Sequence, residues 1–472
     1  LLVLGAGPAG IGAAVNASSI GVDTLIVDES PAPGGQIYRA LPPSFRGKTD
    51  SSMGPDHKIG EKFRKELEES RARKAFGMRV WSVAPGFRVE AIGPSGPQSW
   101  LAKAVVLATG TYEKIIPFPG WTCPGVIGLG AATVLLKSQQ LVPGECTVVA
   151  GCGPLVTAVA AGIIKGGGNV AAMVDLLGTG NWLTAIPALA SRPNLLLQGM
   201  GWLRTIQKAG VPILRRHAVT EVRGNESVSE IVVKPVDSNW RSGTGETERT
   251  IQADSLAIGH GFIPSTEITG LLRARHKFHA ARGGWVPFRD TDFRSSIDGV
   301  YIAGDGAGIL GASAAAVQGR ISGLTVALDL GKITKNDFLK ATDKLRKSLA
   351  GAEKFGSTVS QLMTLRSGLL DGVTSETVVC RCEDVTRREI EEAISKGARD
   401  VNQLKAWTRC GMGPCQGRMC GESVGELVAA QVGDRENAGK WTSRIPIRPV
   451  PLEYIVGEYE YADIPVPEPA PV

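Results

Sequence analysis

The chain has 472 residues, 43% of them apolar and 21% charged, which excludes a disordered polypeptide and is enough for about three domains. Fifty-two Lys and Arg against 46 Asp and Glu leave a formal charge of +6, spread along the chain, which argues against a dedicated nucleic-acid binder. Sixty glycines, about 13% of the chain, are nearly twice the usual share and show no collagen period, so they belong to turns and close backbone approaches.

The first 30 residues read as strand, loop, helix and strand. An apolar run, LLVL, meets Gly5-Ala6-Gly7-Pro8-Ala9-Gly10, a G-x-G-x-x-G directly before small and apolar residues at helical spacing. Gly5 permits the tight turn, Gly7 lets backbone approach a pyrophosphate, and Gly10 lets helix and strand pack closely. The helix start then offers unpaired N–H groups to phosphate. Asp28 ends the second strand 18 residues after Gly10, where a ligand for a ribose hydroxyl is expected. Gly34-Gly35-Gln36 follows. Ala108-Thr109-Gly110 ends a later apolar strand, and Gly304-Asp305-Gly306 another.

A second unit of this kind begins near residue 146. The run CTVVAGCGPLVTAVAAGII carries no charge, yet its glycines and proline make it a strand, loop and helix and not a membrane span. Its loop, Gly151-Cys152-Gly153-Pro154-Leu155-Val156, has Val156 at the third glycine position, where a branched side chain pushes helix and strand apart. Asp175 ends the next strand, and NAD binding there is in doubt.

A helix is predicted over 312–330 and amphipathic helical connection over 333–370. Thr386 and Glu389 form a capping box for a helix that stops at Gly397, and Asp400 is placed to cap the next. The segment 451–472 has five acids, no Lys or Arg, and a PVPEPAPV end, and is predicted to be extended.

Eight cysteines are too few for a disulfide scaffold, but five, Cys380, Cys382, Cys410, Cys415 and Cys420, fall within 41 residues. Cys380-Arg381-Cys382 is C-x-C, and Cys410 and Cys415 follow as C-x₄-C. Four thiolates suit zinc or an iron–sulfur cluster, and the C-x-C is unusual for zinc. Pro414 is placed as a first helical residue, which would set Cys415 at a helix N-terminus, with Arg381, Arg409 and Arg418 adding positive charge. Cys420 is read as a spare buried thiol.

Residues 1–330 resemble the two-dinucleotide-domain flavoproteins, which include glutathione reductase and thioredoxin reductase. That resemblance implies FAD, or another ADP-containing nucleotide, held by Gly5, Gly7, Gly10, Asp28, Gly35, Gln36, Thr109, Gly110, Gly304 and Asp305. The redox Cys pair of the disulfide reductases is missing, since GGQIYR stands at the first location and the second domain has no C-x-x-C. The cysteine region resembles bacterioferritin-associated ferredoxin, which implies a [2Fe-2S] cluster on Cys380, Cys382, Cys410 and Cys415. GAGPAG, GGQIYR, ATGTYEKIIPFPGWTCPGV, GCGPL, IAGDGAG, CRCEDVTRREI and RCGMGPCQGR, taken in order, resemble the alpha subunits of bacterial heteromeric amino-acid dehydrogenases. That group covers opine, proline and hydroxyproline dehydrogenases and hydrogen cyanide synthase.

The expected fold is therefore α/β, with two Rossmann-like domains, the second inserted in the first, and a small helical C-terminal [2Fe-2S] domain. The boundaries are 1–118 with 255–332, the insertion 119–254, a helical connection 333–372, the cluster domain 373–435 and an extended tail 436–472. The resemblance implies an electron-transfer chain beside a catalytic, flavin-containing beta subunit, with FMN at their interface, a downstream acceptor and a small third subunit. The chain is expected to be cytoplasmic, or peripheral at the inner membrane face, and the residues offer no transmembrane segment. No substrate-oxidation site is evident in this chain, and His260, in GHGF, is the one candidate acid–base group. The rival reading is a self-contained NADH-dependent reductase that feeds the same cluster.

Overall fold

The computed structural model describes residues 1–42, 55–243 and 247–456. Two five-stranded parallel sheets organise the first 330 residues. In the first, Leu2–Leu4 lies between Leu25–Asp28 and Val105–Leu107, with Arg73–Phe76 and Val300–Ile302 at the edges. A parallel sheet covered on both faces needs continuous apolar runs, because successive side chains point to opposite sides. Leu2, Leu4 and Val27 enter one core, and Val3, Ile26 and Val106 the other. Each such side chain contributes about 1.5–3 kcal/mol of burial.

The helix Pro8–Ser19 packs along Ala312–Asp329. Their contact is made by small residues, and a Cβ on Gly319 would stand 1.8 Å from the Ala9 carbonyl oxygen. Much of the glycine excess serves such contacts.

In the second sheet Cys146–Gly151 lies between Asn169–Asp175 and Ser255–Gly259, flanked by Ile213–Arg215 and Val126–Gly128. The sequence boundaries put Ser255–Gly259 at the return to the first domain. It instead pairs with the central strand of the insertion, so the chain returns after residue 260. The uncharged run from residue 146 folds as this strand and the helix Pro154–Lys165. Among the described residues no helix is long and apolar enough to cross a membrane.

One long helix, Lys335–Leu362, leaves the first domain, and a short turn of helix, Ser367–Gly372, leads into the cysteine region. There a hairpin, Val378–Cys380 with Val385–Thr386, and the helices Arg387–Ser395, Val401–Thr408 and Gly421–Val432 enclose an apolar core of their own. Thr386 and Glu389 make the reciprocal cap, and Asp400 accepts from the N–H groups of Asn402 and Gln403. Of the predicted tail, residues 457–472 lie outside the described residues. Residues ahead of them cross the cysteine domain and reach the first one, where the Ile447 N–H donates to the Trp81 carbonyl at 2.9 Å.

Candidate functional site

The first glycine loop has the geometry that a dinucleotide needs. Gly5 has φ +104°, and a Cβ there would stand 2.3 Å from the Ala108 carbonyl oxygen. A Cβ on Gly10 would stand 1.7 Å from the Gly5 carbonyl oxygen. Gly7 is different, with φ −77° and nothing nearer to its Cβ position than the Gly35 Cα at 3.8 Å. Gly34 and Gly35 fold over the loop, held by the Gly34 N–H to the Ala6 carbonyl at 2.8 Å. Gly5, Gly7, Asp28, Gly35, Thr109 and Gly110 are all partly exposed around this loop, and Gln36 is exposed beside Arg39, which donates to it.

The polar side chains of this set already have partners inside the chain. Asp28 accepts from the Ala6 N–H at 2.5 Å and the Ser30 N–H at 2.7 Å. Burial pushes its carboxyl up, against the pull of those N–H groups. A carboxylate has about four acceptor sites, so capacity remains for a ribose hydroxyl. The Thr109 hydroxyl donates to the Ser265 carbonyl at 3.0 Å. One Asp305 oxygen accepts from the N–H groups of Leu310 and Gly311, both at 2.8 Å, and the Gly304 N–H donates to the Gln318 side chain at 2.9 Å. The residues present fit an ADP-containing nucleotide: Gly5 and Gly10 let the loop pack closely on its own backbone, and Gly7 alone of the three keeps a free Cβ position.

The second loop is plugged by its own chain. A Cβ on Gly153 would meet the Met363 Sδ at 2.5 Å, and Cys152, Leu176, Leu177, Trp240 and Met363 share one buried apolar cluster. Met363 follows the long helix Lys335–Leu362, so the connector fills the place where pyrophosphate would approach. Asp175 is committed too, accepting from the Leu177 N–H at 2.9 Å and from Trp182. Burial pushes its carboxyl up to about 6 and the Cys152 thiol up to about 12. Cys152 is inert bulk there, and Val156 packs in the core behind it.

His260 is buried, one residue before Gly261, whose Cβ position lies 3.2 Å from Met363. Burial, then the Lys114 charge, depresses it to about 4. Between pH 4 and the ordinary 6.5 the unfolded chain takes up a proton that the folded chain refuses. The stability that neutral His260 contributes is therefore lost as pH falls through that window. Denaturant unfolding of the wild type and of His260→Phe checks this. The cost of the substitution at pH 5 is expected to be smaller than at pH 7 by about 2 kcal/mol.

The five clustered cysteines converge. The Sγ atoms of Cys380, Cys410 and Cys420 lie within 4.8 Å of one another, all three residues buried. The Cys382 sulfur meets the side chain and backbone N–H of Cys415. The N–H groups of Gly411 and Glu383 point at the Cys380 sulfur. The donors from Cys410 and Cys420, then these N–H groups, hold that thiol far below its usual range. A nest of thiols with N–H donors aimed at sulfur fits a metal–sulfur group.

Two sequence expectations change here. No helix starts at Pro414, because Gln416 and Gly417 are left-handed, with φ 52° and 81°, and break it. The helix starts at Gly421 instead, with Cys420 as its N-cap residue. Cys420, expected to be a spare thiol, sits with Cys380 and Cys410, its Sγ 3.8 Å from that of Cys410. Of the arginines, Arg409 pairs with Glu383 and Arg418 with Glu267, each at 2.8 Å.

A cavity of about 470 Å³ lies between the first domain and the nest. Tyr112, Glu267 and Trp285 line one side, and Gly411, Gly417 and Trp441 the other. Lys405, Lys440 and Arg444 add positive charge to its wall. Burial lowers Lys440 to about 8, against the opposing pull of Glu267. No local signal in the sequence joins these distant residues.

A pyridine nucleotide-disulphide oxidoreductase family matches residues 1–329, and a BFD-like [2Fe-2S] binding domain family matches residues 378–430. The chain is thus an oxidoreductase of the first kind joined to an iron–sulfur domain of the second. It is 35% identical to the opine oxidase A-type subunit of Agrobacterium tumefaciens (strain Ach5), over 96% of this chain and 90% of that one. It is 32% identical to the hydrogen cyanide synthase HcnB subunit of Pseudomonas aeruginosa, over 96% and 97%. The chain belongs to the family that contains these opine oxidase and hydrogen cyanide synthase subunits. The crystal structure of L-proline dehydrogenase from P. horikoshii shares the fold, with a TM-score of 0.70 and 21% identity over 96% of this chain and 78% of that one.

Proposed function

We propose that this chain is the electron-transfer subunit of a heteromeric flavin-dependent amine or amino-acid dehydrogenase. It takes electrons from oxidation of a CH–NH bond on a separate flavin-containing subunit and hands them to an acceptor. The observation that carries this reading is the contrast between the two loops. In the first, the Gly7 Cβ position has no neighbour nearer than 3.8 Å, while the second is filled by Met363 at Gly153. A chain whose nicotinamide crevice is plugged is supplied with electrons by a partner, and the relatives named above are themselves subunits. The second domain then serves as a structural unit.

A flavin accepts electrons in pairs and a two-iron cluster moves them singly, so a chain that holds both suits this task. In this reading Gly7 admits the pyrophosphate of FAD or another ADP-containing nucleotide, Gly5 and Gly10 shape the turn that presents it, and Asp28 lies toward the ribose. Asp305 and Thr109 stiffen the surrounding loops. The clustered cysteines hold iron. The cavity beside them, lined by tryptophans and cations, suits the aromatic ring and phosphate of FMN at the interface with the partner. The specificity pocket for the amine belongs to that partner, and an opine or imino acid is the favoured substrate class.

Native mass spectrometry of the complex from its own host, followed by NADH titration, tests this. The expected result is a second flavoprotein chain, with FAD, FMN and a two-iron cluster in the assembly, and visible absorption that NADH leaves unchanged. A homomeric chain bleached rapidly by NADH would instead establish the self-contained reductase.

A further inference from the structure

The cysteine nest holds one thiol more than a [2Fe-2S] cluster uses. Such a cluster takes four thiolates, two on each iron. Cys382 and Cys415 face each other, and an iron held between them uses both. The second iron is then left with the trio Cys380, Cys410 and Cys420, mutually within 4.8 Å and all buried. It has room for two of the three.

Cys380 is fixed as one of them, since the N–H groups of Gly411 and Glu383 converge on its sulfur. The remaining two are alike in reach. Their sulfurs are 3.8 Å apart, and each residue is almost fully buried. Cys420 opens the twelve-residue helix Gly421–Val432, whose first N–H groups favour a bound thiolate. Cys410 is held by its own backbone, its N–H donating to the Thr408 hydroxyl at 3.2 Å.

We propose that Cys410 and Cys420 are alternative ligands for a single position on the second iron, Cys420 the resident and Cys410 the reserve. Exchange breaks one iron–thiolate bond and forms another. The proton of the incoming thiol passes to the outgoing thiolate, and no electron is gained or lost. The inference rests on the two-iron reading of the nest.

The test uses the intact complex with Cys382→Ala, Cys410→Ala, Cys420→Ala and the Cys410→Ala/Cys420→Ala double variant. The readouts are iron and acid-labile sulfide content and the electron paramagnetic resonance of the reduced protein. Retained adenine nucleotide reports that the fold has survived, and Cys→Ser replaces any Ala variant that does not fold. Each of Cys410→Ala and Cys420→Ala is expected to keep the wild-type content. The resonance of Cys420→Ala shifts, while Cys382→Ala and the double variant lose the cluster. Complete loss in either Cys410→Ala or Cys420→Ala alone, or retention in the double variant, overturns the proposal. A wild type holding zinc without sulfide overturns the cluster reading itself, and the inference with it.

Discussion

Gly7→Ala is expected to strip the first site of its nucleotide while leaving the fold in place. The three loop glycines do different work. Ala at Gly10 would drive a methyl to 1.7 Å from the Gly5 carbonyl oxygen, and Ala at Gly5 would meet the Ala108 carbonyl at 2.3 Å. Those substitutions damage the fold and say little about a ligand. Gly7 has φ −77°, a value Ala adopts freely, and its Cβ position has no neighbour closer than 3.8 Å. Its cost to the empty protein is that of a poorer helix cap, about 1 kcal/mol. The added methyl occupies the space through which backbone approaches a pyrophosphate. Affinity should fall by about a hundredfold, or ~2.7 kcal/mol. Adenine nucleotide released on acid extraction, measured against the wild type, is the readout. A full complement in Gly7→Ala would remove the first loop from the nucleotide site. Nucleotide bound to the native state also raises the melting temperature, so the variant should melt lower by that linked amount.

What the sequence made legible is what short stretches determine. A strand, three glycines at fixed spacing and a terminal acid form one local unit, and the loop at Gly5–Gly10 can be read without knowing the rest. The same holds for the Thr386–Glu389 box and the Asp400 cap, each of which satisfies N–H groups within three residues. The turn at Pro414 shows the limit. A proline is a fair helix start, but Gln416 takes a left-handed backbone that its residue type does not announce. Moving the helix start to Gly421 is what carries Cys420 into the nest. Contacts between distant segments are out of reach of local reading. Nothing local says that Met363 fills the space at Gly153, or that Ser255–Gly259 pairs with the strand at Cys146. Those depend on which surfaces remain uncovered after the domains have formed.

The largest stability loss is expected from Glu422→Leu, because it breaks a buried charge network that joins two domains. Lys114 follows the strand Thr111–Glu113 of the nucleotide-binding part, just beyond Thr109 and Gly110. Its ammonium lies 3.8 Å from Glu422, and the two side chains are 3% and 6% exposed. Glu422 also pairs with Arg435 at 2.9 Å, and Arg435 with Glu426 at 3.0 Å. Room for that guanidinium exists because residue 425 is glycine, whose Cβ would stand 1.6 Å from an arginine nitrogen. Beside the network the Ser423 hydroxyl donates to the Ile115 carbonyl at 3.0 Å. Removing one member of a buried pair leaves the other charge desolvated and uncompensated, at about 3–5 kcal/mol. Lys114 loses its 3.8 Å partner in Glu422→Leu and keeps only the more distant charge of Glu426, which Arg435 shares. Replacing both, as Lys114→Met with Glu422→Leu, removes the stranded charge and should recover most of the loss. The cycle should then show coupling of about 2 kcal/mol or more, as residues in contact do. Denaturant unfolding of the four proteins measures it. A loss below about 1 kcal/mol for Glu422→Leu alone would place the joint among weak surface pairs. Glu422 stands two residues beyond Cys420, on the first turn of the helix that Cys420 opens. The network therefore ties the cysteine nest to the strand beside the nucleotide loop. Loosening it should broaden the resonance of the reduced cluster before iron is lost, because the nest then samples more than one position against the first domain.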